Sequence, residues 1–93
     1  MYVAVVKAEL HLPHAQSLKD KRQVLNRLKD RLRATHAAVA EVDHADLWQR
    51  AALGMAVVTG EPGGLNEMLQ SLRDIVERQP EIVVLDWVVR HHE

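Results

Sequence analysis

Ninety-three residues, 47% hydrophobic and 27% charged, suit one globular domain spanning 1–93, able to bury roughly 60% of its unfolded surface around a single core. The absence of cysteine excludes disulfides, thiolate chemistry and cysteine-held zinc, and no apolar run approaches the ~20 residues needed to cross a bilayer. The formal net charge of −1 conceals an asymmetry, because residues 17–33 carry seven Lys or Arg against two Asp, a local +5 against −6 for the remainder.

Positive charge gathered in one segment points either to a polyanion partner or to a solvated helix on an acidic body. The opening "MYVAVVKAELHLP" has no basic leader region and is interrupted by Lys7 and Glu9. It reads as a strand and not as a signal peptide, so a cytoplasmic protein is expected.

In chain order, residues 2–12 alternate, with Tyr2, Ala4, Val6, Ala8, Leu10 and Leu12 on one face and Lys7, Glu9 and His11 on the other. Period two predicts a first strand, which Pro13 ends. Ser17 has the chemistry of a helix N-cap, with Asp20 three residues on as a short capping box. Leu18, Val24, Leu25, Leu28 and Leu32 then share one side of a helix over 18–35. "AAVAEVD" (37–43) predicts a second strand, and 47–59 a third, with Leu53, Met55 and Val57 on one face. "GEPGG" (60–64) breaks the chain, and Gly63 and Gly64 are expected to shape the turn into a second helix. There Leu65, Met68, Leu69, Leu72, Ile75 and Val76 repeat at helical spacing. Pro80 sets its end near Gln79, and "EIVVLDWVVR" (81–90) predicts a last strand.

The order β-α-β-β-α-β predicts an α+β, ferredoxin-like fold. Its four-stranded antiparallel sheet would carry two helices on one face and have strands one and three at its centre. Two stretches, "SLKDKRQVL" (17–25) and "EVDHADLWQRAALGMAVV" (41–58), resemble the YlxP-like family of small bacterial proteins, classed as a domain of unknown function. The resemblance runs from the first strand through the last and implies the same fold. It also implies a genomic setting among translation genes. The family has no agreed activity, so it supplies no catalytic residue.

The first helix carries the main candidate site: Lys19, Lys21, Arg22, Lys29 and Arg33, for nucleic acid or another anion. Lys19, Arg22, Asn26, Lys29 and Arg33 fall within an arc of about 80° and form a stripe about 21 Å long. The stripe starts where helix amides face outward and favour anions. The alternative is a basic flank that merely solvates, partly offset by Asp20 and Asp30. Lys21 instead falls inside the apolar arc, between Leu28 and Leu32. There its stem could cover the core edge while the ammonium reaches water, or it could contact an anion.

Glu41, Asp43, His44 and Asp46 make a carboxylate–histidine cluster, but alternation puts Glu41 and Asp43 on one face and His44 elsewhere. Turn and surface pairing is the expected role, and no metal site, catalytic residue or cofactor is expected. Trp48, Trp87 and Tyr2 are the only aromatics, too few for the stacking platform of an RNA-recognition sheet. Both tryptophans are expected to pack.

The last strand is apolar on both sides, with Val83, Leu85, Trp87 and Val89 opposed to Ile82, Val84 and Val88. A homodimer through the sheet would explain that. The reading is a non-enzymatic cytoplasmic protein, with no membrane partner, that binds RNA or a ribosomal particle through helix 18–35. The alternative is a dimeric structural or regulatory domain without nucleic acid.

Overall fold

Alternation in the first strand translates directly into layers. In β1 (Tyr2–His11), Ala4, Val6, Ala8 and Leu10 turn inward and are almost fully buried, while Val5 and Lys7 turn outward. The computed structural model describes residues 1–92, and continues with α1 (Leu18–Arg33), β2 (Ala38–Asp43), β3 (Arg50–Thr59), α2 (Pro62–Glu77) and β4 (Val83–His92). The sheet order is β2-β3-β1-β4 with every neighbour antiparallel, so β1 and β3 are central as the element order requires. Both helices cover the inward face, where Leu25, Leu28 and Leu32 of α1 and Leu65, Leu72 and Val76 of α2 meet Leu53, Met55 and Val57 of β3.

Helix α1 starts as its cap chemistry dictates. Ser17 Oγ accepts from the Asp20 amide at 3.0 Å, and Asp20 Oδ2 accepts from the Gln16 amide at 3.0 Å, closing a reciprocal cap one residue wider than the usual box. Helix α2 begins earlier than its apolar pattern suggests. Pro62 stands in its first turn, where a missing N–H costs nothing, and Gly63 and Gly64 are helical rather than turn residues.

Two bulges redirect side chains that simple alternation assigns wrongly. One lies where β4 pairs with β1, between the Glu9–Asp86 and Leu10–Val84 pairs, leaving Leu85 as the extra residue. Val84 and Ile82 therefore join Trp87 and Val89 on the helix side, and Val83 and Val88 lie on the open face. The predicted grouping of Ile82 and Val84 with Val88 is thus corrected. The other bulge lies in β2 between Glu41, opposite Leu53, and Asp43, opposite Ala52, with Val42 as the extra residue. Glu41 and Asp43 end on opposite faces, not on the shared one that alternation predicts. Val42 folds over Gly54, where an added Cβ would sit 2.9 Å from its Cγ1, so a larger residue here would have to displace the valine.

The β4 bulge has a direct check. Val84→Asp places a charge against the core and should cost more than about 2 kcal/mol in denaturant melts. Val83→Asp, one residue away, should cost less than about 1 kcal/mol. Equal effects would contradict the register.

Candidate nucleic-acid interface

The basic helix meets the sheet through a lysine that does not reach solvent. Lys21 is 2% exposed, among the most buried side chains of the protein. Its Nζ donates to His44 O at 2.7 Å and Leu47 O at 2.8 Å, with Ala45 O at 3.5 Å. Glu41 Oε2 stands 2.8 Å away, an ion-pair contact not aligned as a hydrogen bond. Both sequence-based readings of Lys21, a side chain snorkelling to water or an external anion ligand, are corrected here. The ammonium is taken up inside the protein, where an unpaired charge would be very costly. Its partners come from the end of β2 and the β2–β3 connection, so the lysine pins residues 44–47 against the start of α1.

Other bonds complete that anchorage. The Leu12 amide donates to Gln49 O at 2.9 Å, Gln49 Nε2 donates to Ala15 O at 3.1 Å, and the Leu47 amide donates to His44 O at 3.0 Å. His44 holds a left-handed backbone, φ 64°, which a non-glycine residue tolerates only where its surroundings fix it. The side chains this connection displays are apolar: Leu47 is 50% and Trp48 53% exposed. They border a shallow depression of about 410 Å³ lined by Asp46 to Arg50. The expectation that both tryptophans pack therefore holds for Trp87, which lies against the core with Arg73 Cζ 5.5 Å from its ring centre. It fails for Trp48, because β3 starts at Arg50 and the indole sits in the loop rather than the strand.

The seven cations of residues 17–33 separate by flank. Arg27 NH2 donates to Glu81 at 3.3 Å and Arg31 NH1 to Gln79 Oε1 at 2.8 Å, on the side facing α2 and β4. Lys21 and Arg33 reach β2 instead, Arg33 NH2 donating to Val39 O at 3.2 Å with Asp30 4.0 Å away. At 100° per residue, Lys19, Arg22 and Lys29 fall on that β2 flank. Among the described residues these three have no ion-pair partner. Since α1 begins beside the end of β2 and finishes beside its start, the stripe runs along the sheet edge toward the Trp48 loop.

On the open face a second polar group forms. Glu9 Oε2 accepts from His44 Nε2 at 3.0 Å and from Arg50 NH2 at 3.1 Å, while His44 Nδ1 lies 3.8 Å from Asp43. A carboxylate only accepts, so this bond puts the imidazole proton on Nε2. Burial pushes the Glu9 carboxyl up, but the bonds from Arg50 and His44 and the charges of His44 and Lys7 outweigh it and hold it below its ordinary value. Glu41, Asp43, His44 and Asp46 do not converge, since Glu41 lies beneath the sheet with Lys21 while His44 pairs with Glu9 on the open face. Among the described residues no three His, Asp or Glu side chains converge as a metal site, and no helix is long and apolar enough to cross a membrane.

Both the sequence and the fold have relatives among known proteins. Residues 3–89 match the family described as "Protein of unknown function (DUF503)". The chain belongs to that family. It is 30% identical over 81 residues to the uncharacterized protein YlxP of Bacillus subtilis (strain 168), covering 86% of this chain and 88% of the relative. Among solved structures it is similar to a de novo designed protein with ferredoxin fold, LFR1 1. The TM-score is 0.55 at 11% identity, over 99% of this chain and 84% of the design. A second de novo design, Foldit4, gives 0.53 at 10% identity, over 100% of this chain and 98% of that one. These likenesses show the ferredoxin-like fold and the family that the sequence resembles.

The lysine clamp can be measured. Lys21→Met keeps much of the stem but strands Glu41 and two loop carbonyls, and should cost about 3 kcal/mol. That corresponds to a Tm lower by roughly 10–20 °C for a domain of this size. A variant that melts with the wild type would show that the ammonium is not what holds the loop.

Proposed function

We propose that this DUF503 domain is a non-enzymatic cytoplasmic protein that binds RNA, free or in a ribosomal particle, through the β2-side flank of α1. The observation that carries the reading is the sorting of the helix cations. Lys21, Arg27 and Arg31 are engaged by the protein's own groups, while Lys19, Arg22 and Lys29 stand free in one row. Such a row neutralises phosphates and releases counter-ions, which supplies affinity with no base preference. Lys21 leaves the candidate set, and Arg33, half-committed to Val39 and Asp30, serves as a fourth and weaker contact. The Glu9–His44–Arg50 group offers no nucleophile beside its imidazole, which fits a binding role better than a catalytic one.

If the three free cations each meet a phosphate and Arg33 adds a weaker contact, binding to unstructured RNA should follow a log–log salt slope between about −2 and −3, taking ~0.7 per contact. Lys19, Arg22 and Lys29 replaced together by Gln should flatten the slope by about two, leaving only the weaker Arg33 contribution, without changing the melting profile. Wild-type binding with no salt dependence would refute the phosphate row.

A second reading is favoured by the open sheet face, where Val5, Val42, Val58, Val83 and Val88 are exposed. A shallow apolar depression of about 360 Å³ lies there, floored by Ala38, Ala40, Gly54 and Ala56. A second copy laid face to face would cover it and make the protein a homodimer. Val88→Glu should then turn dimers into monomers in sedimentation equilibrium. A wild-type protein that sediments as a monomer at high micromolar concentration would remove this reading.

A further inference from the structure

The Trp48 loop has no role in a purely phosphate-binding helix, yet it is firmly built. A buried ammonium, a left-handed histidine and the Gln49 bonds to the segment after β1 all fix it, and it presents half of an indole to solvent. An exposed tryptophan on a pre-organised loop loses little entropy when a flat partner stacks on it. Lys21 places this loop beside the first turns of α1, where the free cation row begins at Lys19 and Arg22.

The loop's own charge separates the tasks. Asp46 borders the depression next to Trp48 and repels a phosphate there, whereas Arg22 and Lys29 on the helix attract one. A ligand that satisfies both must offer a flat, uncharged ring at one end and a run of phosphates leading away from it. We infer that Trp48 stacks an unpaired base of single-stranded RNA whose following phosphates lie along Lys19, Arg22 and Lys29. This inference rests on the helix-flank reading and adds to it a discrimination between strands. In a duplex the bases are stacked on each other and unavailable to the indole, so the same phosphates without a free base make the weaker ligand.

The test uses the full chain carrying Trp87→Phe, which leaves Trp48 as the sole tryptophan, titrated with a short unstructured RNA and with a duplex of equal phosphate number, affinities being read from the anisotropy of end-labelled RNA. The single strand should quench the indole emission and bind more tightly than the duplex. Adding Trp48→Ala should weaken single-strand binding roughly 5- to 150-fold, the span of one base–aromatic stack, and leave duplex binding and its salt slope unchanged. Trp48→Phe should recover most of the loss, which separates stacking from a damaged loop. Equal binding of both RNAs, with Trp48→Ala harmless, would overturn the stacking while leaving the phosphate row in place. Salt-insensitive binding, or none to either RNA, would overturn both. If Trp48→Ala instead abolishes self-association without touching RNA affinity, the loop is a protein contact and the inference fails.

Discussion

One ion in a dry place organises this surface. The Lys21 ammonium has replaced its water with two loop carbonyls and the Glu41 carboxylate, all between 2.7 and 2.8 Å away. Removing water from a lysine is expensive, so this side chain is tolerated only because unbroken alternation from Val39 turns Glu41 toward the helix and the loop turns its carbonyls inward. The dependence runs both ways. Without the lysine, the Leu47 carbonyl loses its donor, and the connection keeps only the Leu47 amide bond to His44 O between its two ends. A buried charge held in this way specifies one arrangement more than it adds stability, since a slipped β2 register would leave it unpaired.

From that contact come the two halves of the candidate interface. The helix is held by the edge strand at Lys21 and Arg33, which leaves Lys19, Arg22 and Lys29 without ion-pair partners on the flank beside the sheet edge. The loop is held from beneath by Lys21 beside the first turns of α1, which leaves Leu47 and Trp48 half exposed. Charge and apolar surface thus adjoin without mixing, the arrangement a flexible polyanion with flat bases can use. The open face of the sheet is a different kind of surface. Its valines and alanines surround a small depression, and the Glu9–His44–Arg50 group sits at its border, where Ala52 is already covered.

Much of the fold was legible because it depends on short-range chemistry. The alternation of Ala4 to Leu10, the cap at Ser17 and the stops at Pro13 and Pro80 each specify a local state, and the element order then leaves few topologies. The bulges were not legible. One extra residue, Leu85 or Val42, reverses the face of every residue beyond it, and apolar residues on both sides of β4 hid the change. Lys21 could have been read differently from the same letters: a lysine at the centre of an apolar arc needs a buried acceptor, and Glu41 was the nearest carboxylate that the topology brings to α1. Trp48 was misplaced by a boundary, because "DLWQR" continues the β-rich pattern of the strand and nothing local marks the turn as extending to Gln49.

The claim that the α1 flank and the Trp48 loop form one RNA surface is most directly met by mapping amide shifts in the wild-type protein as unstructured RNA is added. The account predicts shifts confined to residues 17–33 and 44–50, growing together with a single affinity. Shifts centred on the open face at Val5, Val58 and Val88, or movement of the helix without the loop, would contradict it.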